Sequence, residues 1–298
     1  MPSEAAAGPT GLEEAAAAFS QLRPRLFGIA YRMLGSAVEA EDVVQDVWLR
    51  WQDYDRSTVT HAEAFLITMT TRMSINVTRS ARRRRETYVG PWLPEPVDTS
   101  SDPALGAIRG EALELAVLLL LERLSPTERA AYVLREAFDY PYENIAEILE
   151  LSQANVRQLV SRARKHLAAE RRTTATRAER RRLLGAFMKA AQGGDLTALE
   201  SIFAADVASL SDGGGVVRAS RIPVLGRTRV AKFIKAFSTR FWTETTSTEV
   251  TVNGEPAIFV TRHEQPVVLV SITSTDEGID QILWVMNPDK LARVRPQR

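Results

Sequence analysis

"YENIAEILELSQANVRQLVSRARKHL", Tyr142 to Leu167, divides at Leu151 and Ser152 into two short amphipathic segments. Ile145, Ile148 and Leu149 on the first can pack against Val156, Leu159 and Val160 on the second. That leaves Asn155, Arg157, Gln158, Ser161, Arg162 and Lys165 facing outward. Two helices joined by so tight a turn predict a helix-turn-helix whose second helix suits a DNA major groove. Arginine matches the acceptors of guanine, asparagine and glutamine match adenine, and further cations hold phosphates. A basic face is also what an ordinary solvated helix shows, so the segment alone leaves both readings open.

The chain has 298 residues and a formal charge of only +1, so this basic segment must be balanced elsewhere. "RSARRRR" (Arg79–Arg85) is also basic, and "EAEDVVQD" (Glu39–Asp46) is acidic. Separate patches of opposite sign predict separate partners. There is no cysteine, which excludes disulfides, thiolate metal sites and cysteine nucleophiles and suits a reducing cytoplasm. The three histidines, His61, His166 and His263, are far apart, so no metal site and no cofactor are expected. No apolar run approaches the roughly 20 residues of a membrane helix, and the N-terminus lacks the basic start of a signal peptide. A cytoplasmic location and no membrane partner follow as expectations.

From Leu12 to Arg85 the pattern is helical. "EDVVQDVWLRW" puts Val43, Val44, Val47, Trp48 and Trp51 on one face and Asp42, Gln45 and Asp46 on the other. "GPWLPEPVDTSSDP" (Gly90–Pro103) holds four prolines and predicts an extended linker. Helices resume at Glu111, and Ser125, Pro126 and Glu128 form a helix-start signature. "ERRRLLGAFMKAAQGGDLTALESIFAADV" (Glu179–Val207) predicts two helices parted at the glycines. Strand-like runs follow: "GVVRAS", "TSTEVTVNG", "AIFVTR", "PVVLVSIT" and "IDQILWVMN", with a helical "RTRVAKFIKAFSTRFW" among them. This half predicts an α+β unit with a curved antiparallel sheet.

The segment "LSPTERAAYVLREAFDYPYENIAEILELSQANVRQLVSRARKHL" resembles region 4 of the extracytoplasmic-function (ECF) sigma factors, which reads the promoter −35 element. "LFGIAYRMLGSAVEAEDVVQDVWLRW" resembles their region 2. The resemblance implies a sigma factor that binds core RNA polymerase and directs promoter recognition and transcription initiation, with the β′ clamp helices and the β subunit as partners. On its terms Asp42, Gln45, Asp46 and Arg50 contact polymerase. Tyr54, Arg56, Arg72, Asn76, Arg79, Arg82 and Arg83 meet the opened −10 element, and the run Arg82–Arg85 meets phosphates. The six outward residues of the second helix read the −35 element.

"FMKAAQGGDLTALESIFAADV" resembles the start of SnoaL-like domains, and the whole order resembles a group of ECF sigma factors with such an extension. Three motifs accompany one another there: "WLPEP" (Trp92, Leu93, Pro94 and on), "DGGG" (Asp212, Gly213, Gly214 and on) and "NPDKL" (Asn287, Pro288, Asp289 and on). The sequence departs from the group at Val216, where lysine is common. The resemblance implies that the extension packs on the linker and regulates the two sigma domains. A small-molecule ligand lined by Phe187, Phe203, Phe233, Trp242 and Trp284 is also expected, with plain core as the alternative. Two other readings stay open: a one-component DNA-binding regulator, and a fused enzyme using Asp212 or His263. The fold expected is multidomain: two all-α domains followed by an α+β SnoaL-like cone. The expected boundaries are a flexible tail over 1–11, region 2 over 12–90, linker over 91–110, region 4 over 111–172, and the extension over 173–298.

Overall fold

The computed structural model describes residues 9–99, 114–168 and 175–294. The expected tail over 1–8, the linker beyond Thr99 and the boundaries at 110/111 and 172/173 lie outside these residues. Helix α1 (Pro9–Leu34) begins within the stretch expected to be a tail.

Three long helices form the first part: α1, α2 (Ala37–Asp53) and α3 (Ala62–Glu86). Ser36 caps α2 by accepting from the Glu39 amide. Val43, Val44, Val47 and Trp51 are buried, and Trp48 is half-buried against Phe19. After the linker come α4 (Leu115–Leu121) and α5 (Pro126–Tyr132), the latter started by a full Ser125–Glu128 capping box. A π-helical turn over Val133–Ala137 leads to α6 (Tyr142–Leu149) and α7 (Gln153–Ala168). Glu150 ends α6 in the left-handed region at φ 56° and turns the chain into α7. Ile145 and Ile148 bury against Val156 and Val160, as the opening stretch predicts. Buried apolar side chains from each of the seven helices join in one cluster, so the two helical parts share a core.

The last part holds α8 (Arg177–Gly193), α9 (Leu196–Ile202), α10 (Arg227–Phe241), the short α11 (Pro288–Leu291) and a six-stranded sheet. The strands are β1 (Phe203–Asp212), β2 (Val224–Leu225), β3 (Thr245–Val252), β4 (Glu255–Arg262), β5 (Gln265–Thr275) and β6 (Gly278–Val285), in the order β2-β1-β6-β5-β4-β3. All neighbours are antiparallel except β1 and β6, which run parallel, so the sheet is mixed rather than wholly antiparallel. Two expectations are corrected. Phe203–Val207 is strand, not the end of a helix, and "GVVRAS" is loop, not strand. Phe203 and Val207 bury with the helices while Ala205 and Asp206 are exposed, an i, i+4 pattern that also suits a helix and is too short to separate the two periods.

Both sheet faces are covered. Val268, Val270, Ile272, Ile282 and Trp284 point to a core shared with α8 and α10. The alternate residues Leu269, Leu283 and Val285 point the other way, onto Leu93 of the linker and Leu115 of α4. The linker and a helix of the second part therefore serve as the lid of this sheet.

Candidate nucleic-acid interface and the linker clamp

On α7, Asn155, Arg157, Gln158, Ser161, Arg162 and Lys165 are all exposed. Arg157 lies 5.5 Å from the ring centre of Tyr142 on α6, and Arg162 is 3.4 Å from Glu128 on α5. Arg164, not singled out from sequence, pairs with Glu136 at 2.7 Å.

On α2, Asp42, Gln45, Asp46 and Arg50 are exposed on the face away from the core. Val38 and Leu49 are 44% and 50% exposed on that same face, which makes it an apolar-and-acidic strip. Sequence reasoning missed them, although Leu49 is out of phase with the buried set at 43, 44, 47 and 51.

On α3, Arg72, Asn76, Arg79 and Arg83 follow one another at spacings that share a helix face, and all are exposed, as is Arg82. Tyr54 stands exposed with its ring 4.5 Å from that of Phe65. Four expected DNA contacts are engaged within the protein. Arg56 donates to the carbonyls of Trp51 and Gln52, both at 2.9 Å, and so satisfies the end of α2. Arg84 pairs with Glu39, and Arg85 is largely buried on Glu122. Arg72 donates to the carbonyl of Ile148 at 3.0 Å and pairs with Glu150, also at 3.0 Å. That contact latches α3 to the end of α6.

The three motifs meet at one point. The Asp212 carboxylate is fully buried and accepts from four donors. Tyr88 Oη (2.5 Å) and the Gly214 amide (3.0 Å) reach Oδ1; the Leu93 amide (2.9 Å) and Lys290 Nζ (2.7 Å) reach Oδ2. Lys290 also donates to the Leu93 carbonyl. Burial lowers the Lys290 pKa while Asp212 raises it. The Tyr88 hydroxyl is held above its ordinary range by burial and by the hydrogen bond to Asp212. Asn287 donates to Tyr88 Oη at 3.0 Å and caps α11 by accepting from the Asp289 amide. A Cβ at Gly214 would stand 2.5 Å from Asn287 Nδ2 at φ +65°, so only glycine fits. Pro288 and Asp289 point outward; Asn287 and Lys290 make the contacts.

Trp92 lies between two cations, 3.6 Å from the Arg85 guanidinium carbon and 4.4 Å from Lys290 Nζ. Its ring edge presses on Gly35, where a Cβ would stand 2.8 Å from it at φ +65°. Leu93 is buried in the sheet lid, and Pro94 is buried too. Glu95 was missed as a site residue although it belongs to the quoted motif. Its buried carboxylate accepts from the amides of Ala37 (2.8 Å) and Val38 (3.2 Å), which ties the linker to the start of α2. Farther along, the β3–β4 turn is Asn253-Gly254, both at positive φ, as a two-residue hairpin wants. Asn253 pairs with both backbone groups of Val97 at 2.9 Å and donates to Tyr31 Oη at 2.8 Å. Burial raises the Tyr31 pKa, so this hydroxyl stays neutral and donates to the Glu95 carbonyl at 2.6 Å. Sequence reading took this turn as the end of a strand.

A cavity of about 570 Å³ opens beside α10. Of the expected aromatic lining, Phe233 and Trp284 line it, joined by Phe237 and Phe241. Phe187 and Phe203 are fully buried core instead, and Trp242 packs edge-on against Phe241 behind the wall. Neither Asp212 nor His263 lines the cavity. Asp212 is spent on the clamp, and His263 is an exposed turn residue 3.3 Å from Glu244. Among the described residues no cluster of metal-ligating side chains is present, and no helix is long and apolar enough to cross a membrane.

Comparison with known proteins matches residues 18–84 to the Sigma-70 region 2 family and residues 114–167 to Sigma-70 region 4. The chain is 34% identical over 287 residues to the ECF RNA polymerase sigma factor SigJ of Mycobacterium tuberculosis, covering 91% of each chain. It is 31% identical over 289 residues to a probable ECF RNA polymerase sigma factor, SigI, of the same organism, covering 94% of this chain and 96% of the other. The crystal structure of M. tuberculosis SigJ superposes with a TM-score of 0.77 at 30% identity, over 95% of this chain and 100% of the other. These relatives are transcription initiation factors rather than enzymes. With helix-turn-helix and region 2 both in place and the extension aligned end to end, this chain belongs to the extracytoplasmic-function sigma factors of RNA polymerase.

Proposed function

We propose that the α2 strip of Val38, Asp42, Gln45, Asp46, Leu49 and Arg50 docks on the β′ clamp helices of core polymerase, and that α7 is placed through the β subunit. The exposed face of α3, with Tyr54, takes the opened −10 element, and α7 enters the major groove of the −35 element. The protein works in the cytoplasm, with core polymerase and promoter DNA as its partners. The clamp on the linker sets how the two DNA-reading faces stand to one another, without a catalytic step. The observation that carries this reading is the linker itself: one buried carboxylate, Asp212, joins all three motifs, while Glu95 of the same strap caps the helix proposed for polymerase.

Run-off transcription and affinity measurement with the full-length chain and purified core polymerase test the docking. Asp46→Arg puts a cation on an exposed position, so the fold should stand and polymerase affinity should fall about tenfold or more, the scale of a lost charge contact. A wild-type chain that neither binds core enzyme nor yields a transcript would remove the reading.

The same geometry makes the described form a closed one. Promoter elements separated by turns of DNA, each about 34 Å long, favour a form in which the contact between α3 and the end of α6 is released. Glu150→Ala cuts the Arg72 pair. Because that pair is exposed, worth about 0–1 kcal/mol, the open population should grow at most about fivefold. Energy transfer between labels on α2 and α7 reads this directly; no change in distance distribution would show that the latch contributes nothing.

A further inference from the structure

The cavity beside α10 has a chemistry of its own. Its back is a tiled aromatic wall: Phe237 meets Trp284 at 5.9 Å and 82°, and Phe241 meets Trp284 at 6.3 Å and 89°. Trp284 is buried, and its indole N–H is fixed on Ser209 Oγ at 2.9 Å, so the wall is rigid. The charged part of the lining is cationic. Arg218, Arg240 and Arg262 line it and no carboxylate does. Arg262 is spent on the carbonyls of Phe241 (2.6 Å) and Thr243 (3.2 Å). Arg218 and Arg240 are exposed, and among the described residues neither has an ion-pair partner. A flat apolar surface with two unpaired guanidinium groups at its rim selects a planar, apolar body carrying one negative group. The volume, about 570 Å³, suits a ring system of two or three fused rings.

The cavity also touches the linker. Ser211, Ala219 and Ser220 line it, and Ser211 directly precedes the clamp carboxylate Asp212. The backbone of the same segment lies against linker Gly90: a Cβ there would be 3.5 Å from Arg221 Cα and 3.6 Å from the Ser220 carbonyl oxygen. A ligand bridging Arg218 and the wall would order this segment from its other side.

We propose that this cavity binds a planar aromatic carboxylate, and that its occupancy tightens the 211–221 segment on the linker at Gly90. The second half rests on the reading of the clamp given above; the first does not. The probe is 2-naphthoate, with neutral 2-naphthylmethanol as its isostere, titrated calorimetrically into the full-length chain without polymerase. The acid should bind one to one and about tenfold or more tighter than the alcohol, the worth of a charge-assisted contact. Arg218→Gln with Arg240→Gln should remove that tenfold for the acid and leave the alcohol unchanged. Ala236→Trp, which fills the cavity from α10, should abolish both, with an unchanged thermal transition showing that the variant is folded. Amide exchange over residues 88–93 should slow when naphthoate is bound. Equal affinity for acid and alcohol, no binding of the acid, or binding that survives Ala236→Trp in the folded variant would overturn the site. Binding without slower exchange would overturn the coupling alone. Neither outcome depends on whether the chain engages polymerase.

Discussion

Asp212→Asn should cost about 3–5 kcal/mol of stability, the range for removing one partner of a buried ion pair. The carboxylate is wholly buried with four donors on it, and Lys290, 11% exposed, is its counter-ion. The amide nitrogen replaces one acceptor oxygen with a donor, so either the Gly214 contact or the Leu93 and Lys290 contacts must be lost. Denaturant unfolding should shift to lower midpoint, and the Leu93 amide should lose protection in hydrogen exchange. Asp289→Asn, two residues along the neighbouring motif but exposed, should stay within about 0.5 kcal/mol of wild type. The loss carries a pH signature with a definite sign. Burial already lowers the folded Lys290 pKa below the ordinary lysine value of 10.5, and without Asp212 it falls further. Between that folded value and 10.5 the unfolded chain holds more protons, so raising pH stabilises the variant. The gap to wild type should therefore narrow as pH climbs toward 10.5. A gap that stays constant would mean that Lys290 is not left charged and unpaired.

Glu122→Gln should be comparably severe, for a related reason at the joint of the two helical parts. Glu122 accepts from Arg85 at the end of α3 and from Arg129 of α5, the latter at 2.6 Å with a side chain 1% exposed. Burial first, then Arg129 beside it, pushes the Arg85 pKa down to about 9; burial first, then Arg82, brings Arg129 to about 9. Both remain charged at neutral pH, so removing the carboxylate leaves two buried cations facing each other. The expected cost is again about 3–5 kcal/mol, read as an earlier unfolding midpoint. The triple change Arg85→Met, Glu122→Leu and Arg129→Met should recover most of it, because well-packed apolar replacements of a buried ionic set are often neutral or better. Failure of the triple variant to recover would show that the knot is needed for packing rather than for charge balance.

Arg85 also shows where sequence reading stops. In "RRRR" all four arginines look alike, and a basic run at a helix end reads as a phosphate contact. Helix geometry turns Arg82 and Arg83 to solvent but Arg85 inward, where Glu122, 37 residues away, meets it. Arg72 is a similar case: beside the Glu150 carboxylate, its partners are the carbonyls of Glu147 and Ile148 at the end of α6, which carry no side-chain signal. Glu95 sits inside a quoted motif, yet its task depends on amides of Ala37 and Val38 that no spacing rule connects to it. The cavity repeats the lesson. An aromatic list from sequence mixes wall and core, because Phe187, Phe203, Phe233 and Trp284 all pack into one cluster and only their place within it separates cavity wall from interior.

What the sequence determined by itself was local and periodic. The helix-turn-helix, the buried and exposed sides of α2, the Ser125 capping box, the proline-bearing linker and most strands of the sheet follow from side-chain spacing and backbone preference within a few residues. Contact between distant segments became visible only in the folded chain: a linker that lids a sheet, a carboxylate at 212 that holds residues 88, 93 and 290, and two helical parts sharing one core. The physical reason is that burial and ion pairing depend on distance in space, and the chain's own order records distance only along itself.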